Sequence, residues 1–287
     1  TEGDIVLLEN VRFHEEEEKN DAEFAKSIIE STGAEVLVQD GFGVVHRAHT
    51  TTDAIARQIP AVAGLLLARE VDTITNVMLE PKRPLMAIIG GAKIEDKIDI
   101  IHKFIDSADI VVIGGAMANT FLKAQGLEIG DSLSDDDELD TAHDIMNKVR
   151  ATAKSRDFVF YLPQDGVVST EIDKKTTTRI VGWDINVVAD IEAYPSRPRL
   201  DTSHVKKNEK ILDIGPVSGA FIAGAVQMVN TVVWNGTMGV SEVEAIHGPI
   251  GPFAHGTETI MDALVGKYGH RPYSLVGGGD TAGYVEE

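Results

Sequence analysis

Two α/β units, the larger built on a doubly wound parallel sheet, are what this amino-acid sequence predicts, and three features carry the prediction. From residue 85 onward short apolar, β-prone runs recur, each closed by a glycine-rich or polar turn. Segments of helical length and periodicity separate them, the alternation that builds parallel sheets. The stretch before residue 81 has a different texture, shorter and more polar.

That first stretch reads as a small α/β piece, with strands at Val6-Leu-Leu8 and Val36-Leu-Val38 and a polar helix over 21–31. The acidic runs 15–18 and 135–137 are expected to be solvated faces. Over 61–79 the apolar residues Leu67, Val71, Ile74 and Met78 recur at helical spacing until Glu80-Pro-Lys-Arg-Pro84 stops them, which predicts an interdomain helix. Five buried parallel strands should follow. They are 85–89 before Gly90-Gly91, 110–113 before Gly114-Gly115, 158–162 before Pro163-Gln-Asp-Gly166, 231–234 before Asn235-Gly236, and 273–276 before Gly277-Gly-Gly279. Ile94, Ile98, Ile101 and Ile105 mark a helix between the first two. Ligands of such sheets bind beyond the carboxyl ends of the strands, where all these turns fall.

Composition narrows the function. With 26 Lys and Arg against 46 Asp and Glu, the 287 residues carry a formal charge of −20, which repels nucleic acid and anionic lipid. No nucleic-acid or membrane partner is expected. The absence of cysteine excludes thiolate metal sites and cysteine nucleophiles, and any metal must sit on oxygen or imidazole. No run approaches the ~20 apolar residues of a membrane span, and the start Thr1-Glu-Gly-Asp4 lacks the features of a signal peptide, so a cytoplasmic location is expected.

In Gly90-Gly-Ala-Lys93-Ile-Glu-Asp-Lys97 a strand ends and a helix is expected to open, which would place Lys93 and Lys97 on one face of its first turn beside free backbone N–H groups. Two ammonium groups there suit a polyphosphate or a migrating phosphoryl group. Gly277-Gly-Gly-Asp280-Thr281 lets backbone approach a phosphate and adds a carboxylate able to hold Mg²⁺. Asn235 and Glu242 follow another strand, where Asn235 could form the turn and Glu242 could bind ribose or simply face water. Arg12 and Arg47 carry forks suited to carboxylate or phosphate, and His46 and His49 lack the third ligand of a metal site. No G-x-G-x-x-G turn supports a dinucleotide oxidoreductase.

Taken in order along the chain, eight strings resemble the phosphoglycerate kinase family. They are Leu7-Leu-Glu-Asn-Val-Arg-Phe13, Asp40-Gly-Phe-Gly with His46-Arg-Ala-His49, Gly90-Gly-Ala-Lys-Ile-Glu-Asp-Lys97, Gly114-Gly-Ala-Met with Thr120-Phe-Leu-Lys123, Ile129-Gly-Asp-Ser-Leu133, Asp213-Ile-Gly-Pro216, Trp234-Asn-Gly-Thr-Met-Gly239 and Gly277-Gly-Gly-Asp-Thr281. The resemblance implies a Rossmann-like nucleotide domain at 81–287, incomplete at its end, an interdomain helix at 61–80, and at 1–60 the remnant of a phosphoglycerate-binding domain. It implies glycolytic transfer of a phosphoryl group between 1,3-bisphosphoglycerate and Mg-ADP, giving 3-phosphoglycerate and ATP, by a monomer. Lys93, Lys97 and Arg47 would serve catalysis, and Arg12, Arg47 and His46 would hold the phosphoglycerate. Gly114, Gly115, Leu133 and Leu212 would surround adenine, Glu242 would take the ribose, and Asn235, Gly278, Gly279 and Thr281 would complete the nucleotide site. Asp280 would bind the nucleotide's Mg²⁺.

The sequence departs from the family at Asn119, where an aromatic is common, and at Thr237 and Ser241, which replace the usual Pro and Phe. Family motifs absent from both ends lead us to expect an internal segment that binds Mg-nucleotide with negligible turnover, the alternative being a non-catalytic nucleotide-binding fragment.

Overall fold

Asp21 sets the start of the first long helix, its carboxylate accepting the Phe24 N–H at 2.7 Å. The computed structural model describes residues 3, 5–183, 204–246 and 250–286, apart from the side chains of Asp280 and Glu286. The chain divides into two compact units, Thr1–Glu80 and Pro81–Glu287.

In the first unit a one-turn helix α1 (Glu15–Glu18) precedes α2 (Ala22–Thr32), which Gly33 ends at φ 65. Strand β1 (Leu37–Gln39) pairs in parallel with β2 (Ala61–Ala63), and α3 (Leu65–Leu79) follows. The helix expected from residue 61 therefore begins at 65, because the sheet ladder claims residues 61–63 and the Gly64 N–H bonds to Gln39 O at 2.7 Å. Residues 6–8 form no strand. Val6 and Leu7 are exposed, and a strand without a ladder partner is not stable in water. The acidic run 15–18 is not wholly solvated either: Glu17 is buried and accepts Thr51 N–H at 3.1 Å and Thr51 Oγ1–H at 2.6 Å. A small core of Ala25, Ala54 and Ile55 closes the unit.

A strand covered on both faces must be apolar throughout, and β3 (Leu85–Ile89) is buried at every position. After it come α4 (Ile98–Ser107), β4 (Ile110–Ile113), α5 (Gly115–Ala124), α6 (Leu139–Ser155) and β5 (Val159–Tyr161). An antiparallel three-stranded sheet follows, β6 (Asp165–Ser169), β7 (Arg179–Gly182) and β8 (Lys210–Ile214), in the order β7-β6-β8. The chain then adds α7 (Pro216–Val226), β9 (Thr231–Asn235), α8 (His255–Leu264), β10 (Tyr273–Gly277) and α9 (Gly279–Glu286).

All five expected strands join one parallel sheet, β10-β9-β3-β4-β5, but β10 is not buried as expected: it lies at the sheet edge, Tyr273 is exposed and the rest of the strand is half-buried. The sheet's chain path starts at the centre, runs outward through β4 and β5, and returns on the other side to β9 and β10. The switch point lies between β3 and β9. On one sheet face Met86, Ile88 and Trp234 pack with Ile222 and Val226 of α7 and Ile260 of α8, while Leu85, Ala87 and Ile89 are buried on the other. The expected turn at Pro163-Gln-Asp-Gly166 is in part strand. Asp165 begins β6 and its carboxylate accepts the Val217 and Ser218 N–H groups at 2.9 and 2.8 Å, capping α7.

Candidate functional site

At the switch point the chains leaving β3 and β9 cross. Gly90 N–H bonds to Asn235 O at 2.8 Å. A Cβ on Gly90 would strike Thr237 O and one on Gly236 would strike Gly90 O, so the crossing exists only because both residues are glycine. Lys97 Nζ reaches back to the same place, donating to Gly90 O and to Asn235 Oδ1, each at 2.6 Å. Burial pushes the Lys97 pKa down, with Asp96 opposing. Asn235 also lies against Gly278, and the neighbouring Gly236 N–H bonds to the buried Thr281 Oγ1 at 2.8 Å. Three turns distant in sequence thus converge, with Gly278 at φ 91 and the start of α9 beside them.

Lys93 does not share a helical face with Lys97. Residues 95–97 form a 3₁₀ turn, Lys97 itself has non-helical dihedrals as its ammonium turns back to Gly90, and α4 begins only at Ile98. The Lys93 side chain is exposed, with no hydrogen bond or ion pair among the described residues.

Next to the crossing opens a cavity of about 1080 Å³, reached by Gly91, Gly115, Leu133, Leu212, Glu242 and Gly279. Leu212 is 6% exposed and belongs to the core, whereas Leu133 is 62% exposed. Asn119, itself buried, donates from Nδ2 to Leu133 O at 3.0 Å and so fixes that leucine's backbone. Gly114 is not part of the wall. It packs on Met238, whose sulfur occupies the space a side chain would need. The Asp280 side chain lies outside the described residues, among which no group of three or more carboxylates or imidazoles could cage an ion.

In the first unit Arg12, His46 and Arg47 are exposed, and their side chains take no hydrogen bond or ion pair among the described residues. Arg12 sits in a 3₁₀ turn (Val11–Phe13) whose start is capped by Asn10, which accepts the Arg12 N–H at 3.0 Å. The segment after Arg12 is tied to the segment after Arg47. Glu17 bonds Thr51, and Asn20 donates to Asp53 at 2.7 Å while accepting the Ala54 N–H at 3.0 Å. All three partners belong to one π-helical turn, Thr50–Ala54.

The sequence profile described as phosphoglycerate kinase matches residues 1–287. The chain belongs to the phosphoglycerate kinase family. Its fold matches that of phosphoglycerate kinase from Coxiella burnetii with a TM-score of 0.74 at 33% identity, over 96% of this chain and 63% of that one. Phosphoglycerate kinase from Pyrococcus horikoshii OT3 shares the fold at a TM-score of 0.71 and 23% identity, over 99% of this chain and 70% of that one. The chain thus spans less than two thirds of the length of the Coxiella protein.

Two buried carboxylates of this family member escaped the sequence-based site. Glu17 was hidden in an acidic run, which alone reads as surface. Asp213 had a legible sign, a charge inside the apolar run Ile211-Leu-Asp-Ile214, because a buried polar residue is the informative exception.

Proposed function

We propose that this chain carries the nucleotide site and part of the phosphoglycerate site of a cytoplasmic, glycolytic phosphoglycerate kinase. A phosphate oxygen of Mg-ADP attacks the acyl phosphorus of 1,3-bisphosphoglycerate. The bond from phosphorus to the carboxylate oxygen breaks, and ATP and 3-phosphoglycerate form with no covalent protein intermediate. The observation that carries this reading is the Lys97 ammonium, held at the switch point against two crossing glycine turns and next to the cavity.

In this reading Lys97 neutralises charge as the phosphoryl group moves, and Lys93, free of other partners among the described residues, swings toward the same phosphates. Gly278, Gly279 and Thr281 take phosphate oxygens at the start of α9, where unpaired N–H groups favour anions. Asp280 would hold the Mg²⁺ that accompanies the nucleotide, which would supply charge neutralisation on the phosphates. Adenine lies between Gly115, Leu133 and Leu212, with Gly114 behind Met238 shaping the wall and Glu242 on the ribose. Asn235 holds Lys97 in place. Arg12, Arg47 and His46 form the cationic patch for the phosphoglycerate, and the protein acts as a monomer without nucleic-acid or membrane partners.

A coupled assay supplying 1,3-bisphosphoglycerate and Mg-ADP, run beside calorimetry with Mg-ADP alone, tests the proposal. The expected result is saturable Mg-ADP binding with negligible ATP formation by this chain, and ATP formation that falls on the order of 100-fold in Lys97→Met once the chain is extended to the length of its Coxiella relative. Binding without turnover in the extended chain would leave a non-catalytic nucleotide-binding protein, and absence of both would overturn the reading.

A further inference from the structure

Asp213 is a carboxylate in the wall of the cavity, 2% exposed, with no lysine or arginine paired to it among the described residues. Its Oδ1 accepts the Ile214 N–H at 2.8 Å and its Oδ2 accepts the Gly256 N–H at 2.9 Å. Two glycines close over it. A Cβ on either Gly239 or Gly256 would lie 2.5 Å from Asp213 Oδ1, so the carboxylate fills the space where side chains would otherwise stand. The same three pieces meet around it through other bonds. Val240 N–H bonds to Leu212 O at 2.9 Å, docking the turn after β9 on β8, and Met238 N–H bonds to Thr257 Oγ1 at 3.0 Å, docking that turn on α8. Glu242 follows two residues after Val240 and lines the cavity.

We infer that Asp213 is a positioning residue for nucleotide binding: its ionised carboxylate locks the N-terminus of α8 and the Met238-Gly239 turn against β8, and thereby sets the wall that ends in Glu242. The inference rests on the nucleotide reading of the cavity given above. Among the described residues, the positive end of α8 and the directed N–H groups supply the compensation for the charge. That compensation is incomplete, since burial pushes the Asp213 pKa up to about 7. Among the described residues, no cation from a packed element offsets it. From α8 come the backbone N–H groups of Gly256 and His255, and Glu258 of α8 accepts the Tyr284 hydroxyl of α9 at 3.3 Å. Tyr284 is itself pushed up to about 12 by burial, with the Glu258 and Asp213 charges contributing. From β6, Val167 stands opposite Asp213, and Asp165 spends its carboxylate on α7.

Asp213→Asn keeps the shape and an acceptor oxygen and removes the charge. Two measurements on the full chain compare it with the parent across pH 6 to 8. Ionised Asp213 costs folding stability, because its folded pKa is raised. The parent should therefore lose stability relative to the variant as pH rises toward about 7 and hold level above it. The Kd for Mg-ADP should be about tenfold weaker in the variant near pH 8, approaching parity near pH 6. Comparing ratios removes the titration of the nucleotide itself. If the stability difference titrates but the Kd ratio stays flat, Asp213 is a structural carboxylate only and the positioning role is overturned while the kinase reading stands. If the parent binds no Mg-ADP, the kinase reading falls and takes this inference with it.

Discussion

Lys97 Nζ and Asn235 Oδ1 stand 2.6 Å apart although 138 residues separate them in the chain. The bond spans the switch point of the sheet, linking the segment after β3 to the end of β9. An ammonium held there by two short bonds loses less conformational freedom on meeting a phosphate than a free lysine would. Preorganisation of this kind is how a protein concentrates charge where charge moves.

Lys97→Met keeps most of the buried stem and removes the charge. We expect Mg-ADP affinity to fall by about 1.5 to 3 kcal/mol, the range for a charge-assisted contact. Titration calorimetry returning the parent Kd would remove Lys97 from the nucleotide site.

Glu17→Ala strips the partner from Thr51 and leaves its N–H and hydroxyl unpaired in a part-buried place, at a cost of about 1 to 3 kcal/mol. Since Glu17 ties together the segments that follow Arg12 and Arg47, affinity for 3-phosphoglycerate should fall as well. Urea unfolding within about 0.5 kcal/mol of the parent would show that this link carries no weight.

How much of this was legible in the sequence depended on range. The central parallel strand was readable because a strand buried on both faces is apolar at every position, as in Leu85–Ile89, whereas the edge strand β10, with no buried residue, was readable only from its β-prone run before the Gly277 turn. Their glycine turns were readable because crossing backbones exclude side chains, as at Gly90 and Gly236. The antiparallel sheet was not, because a short strand such as Arg179–Gly182 gains its identity only from its partner. The helical spacing of Lys93 and Lys97 misled for a related reason. A tertiary bond from Lys97 to Gly90 overrides the local periodicity. Glu17 and the Asn119 tether to Leu133 depend on contacts that no local window contains.

Glu209 gives a pH signature. Arg179 grips its carboxylate through Nε at 2.8 Å and Nη2 at 2.6 Å, and with the Lys206 N–H adding a further bond its pKa falls to about 2. A folded pKa below the ordinary value means stability that is present above about pH 5 and drains away as pH falls toward 2. Glu209→Gln should therefore cost about 1 to 3 kcal/mol at pH 7, and the gap to the parent should narrow steadily below pH 5. A gap independent of pH between 7 and 3 would show that the ion pair contributes only packing.

Leu133 and Leu212 face one cavity from opposite circumstances, and that contrast separates a role in binding from a role in folding. An exposed leucine alone means little, since apolar atoms make up much of any protein surface. Leu133, however, is 62% exposed while its backbone is pinned by the buried Asn119, so its side chain is held out over the cavity and not loosely placed. Covering it with an adenine ring would remove apolar area from water, a gain of about 1 to 2 kcal/mol for a side chain of this size. Truncating it leaves no hole in the core. Leu133→Ala should thus weaken Mg-ADP binding by about that amount, with unfolding free energy within about 0.5 kcal/mol of the parent. Leu212 is 6% exposed, and its truncation opens a void, so Leu212→Ala should cost about 2 to 5 kcal/mol of stability whatever it does to binding. Paired calorimetry and urea unfolding on the two variants decide the matter. A Leu133→Ala variant that lost stability but not affinity would return Leu133 to the fold and move the adenine elsewhere along the cavity.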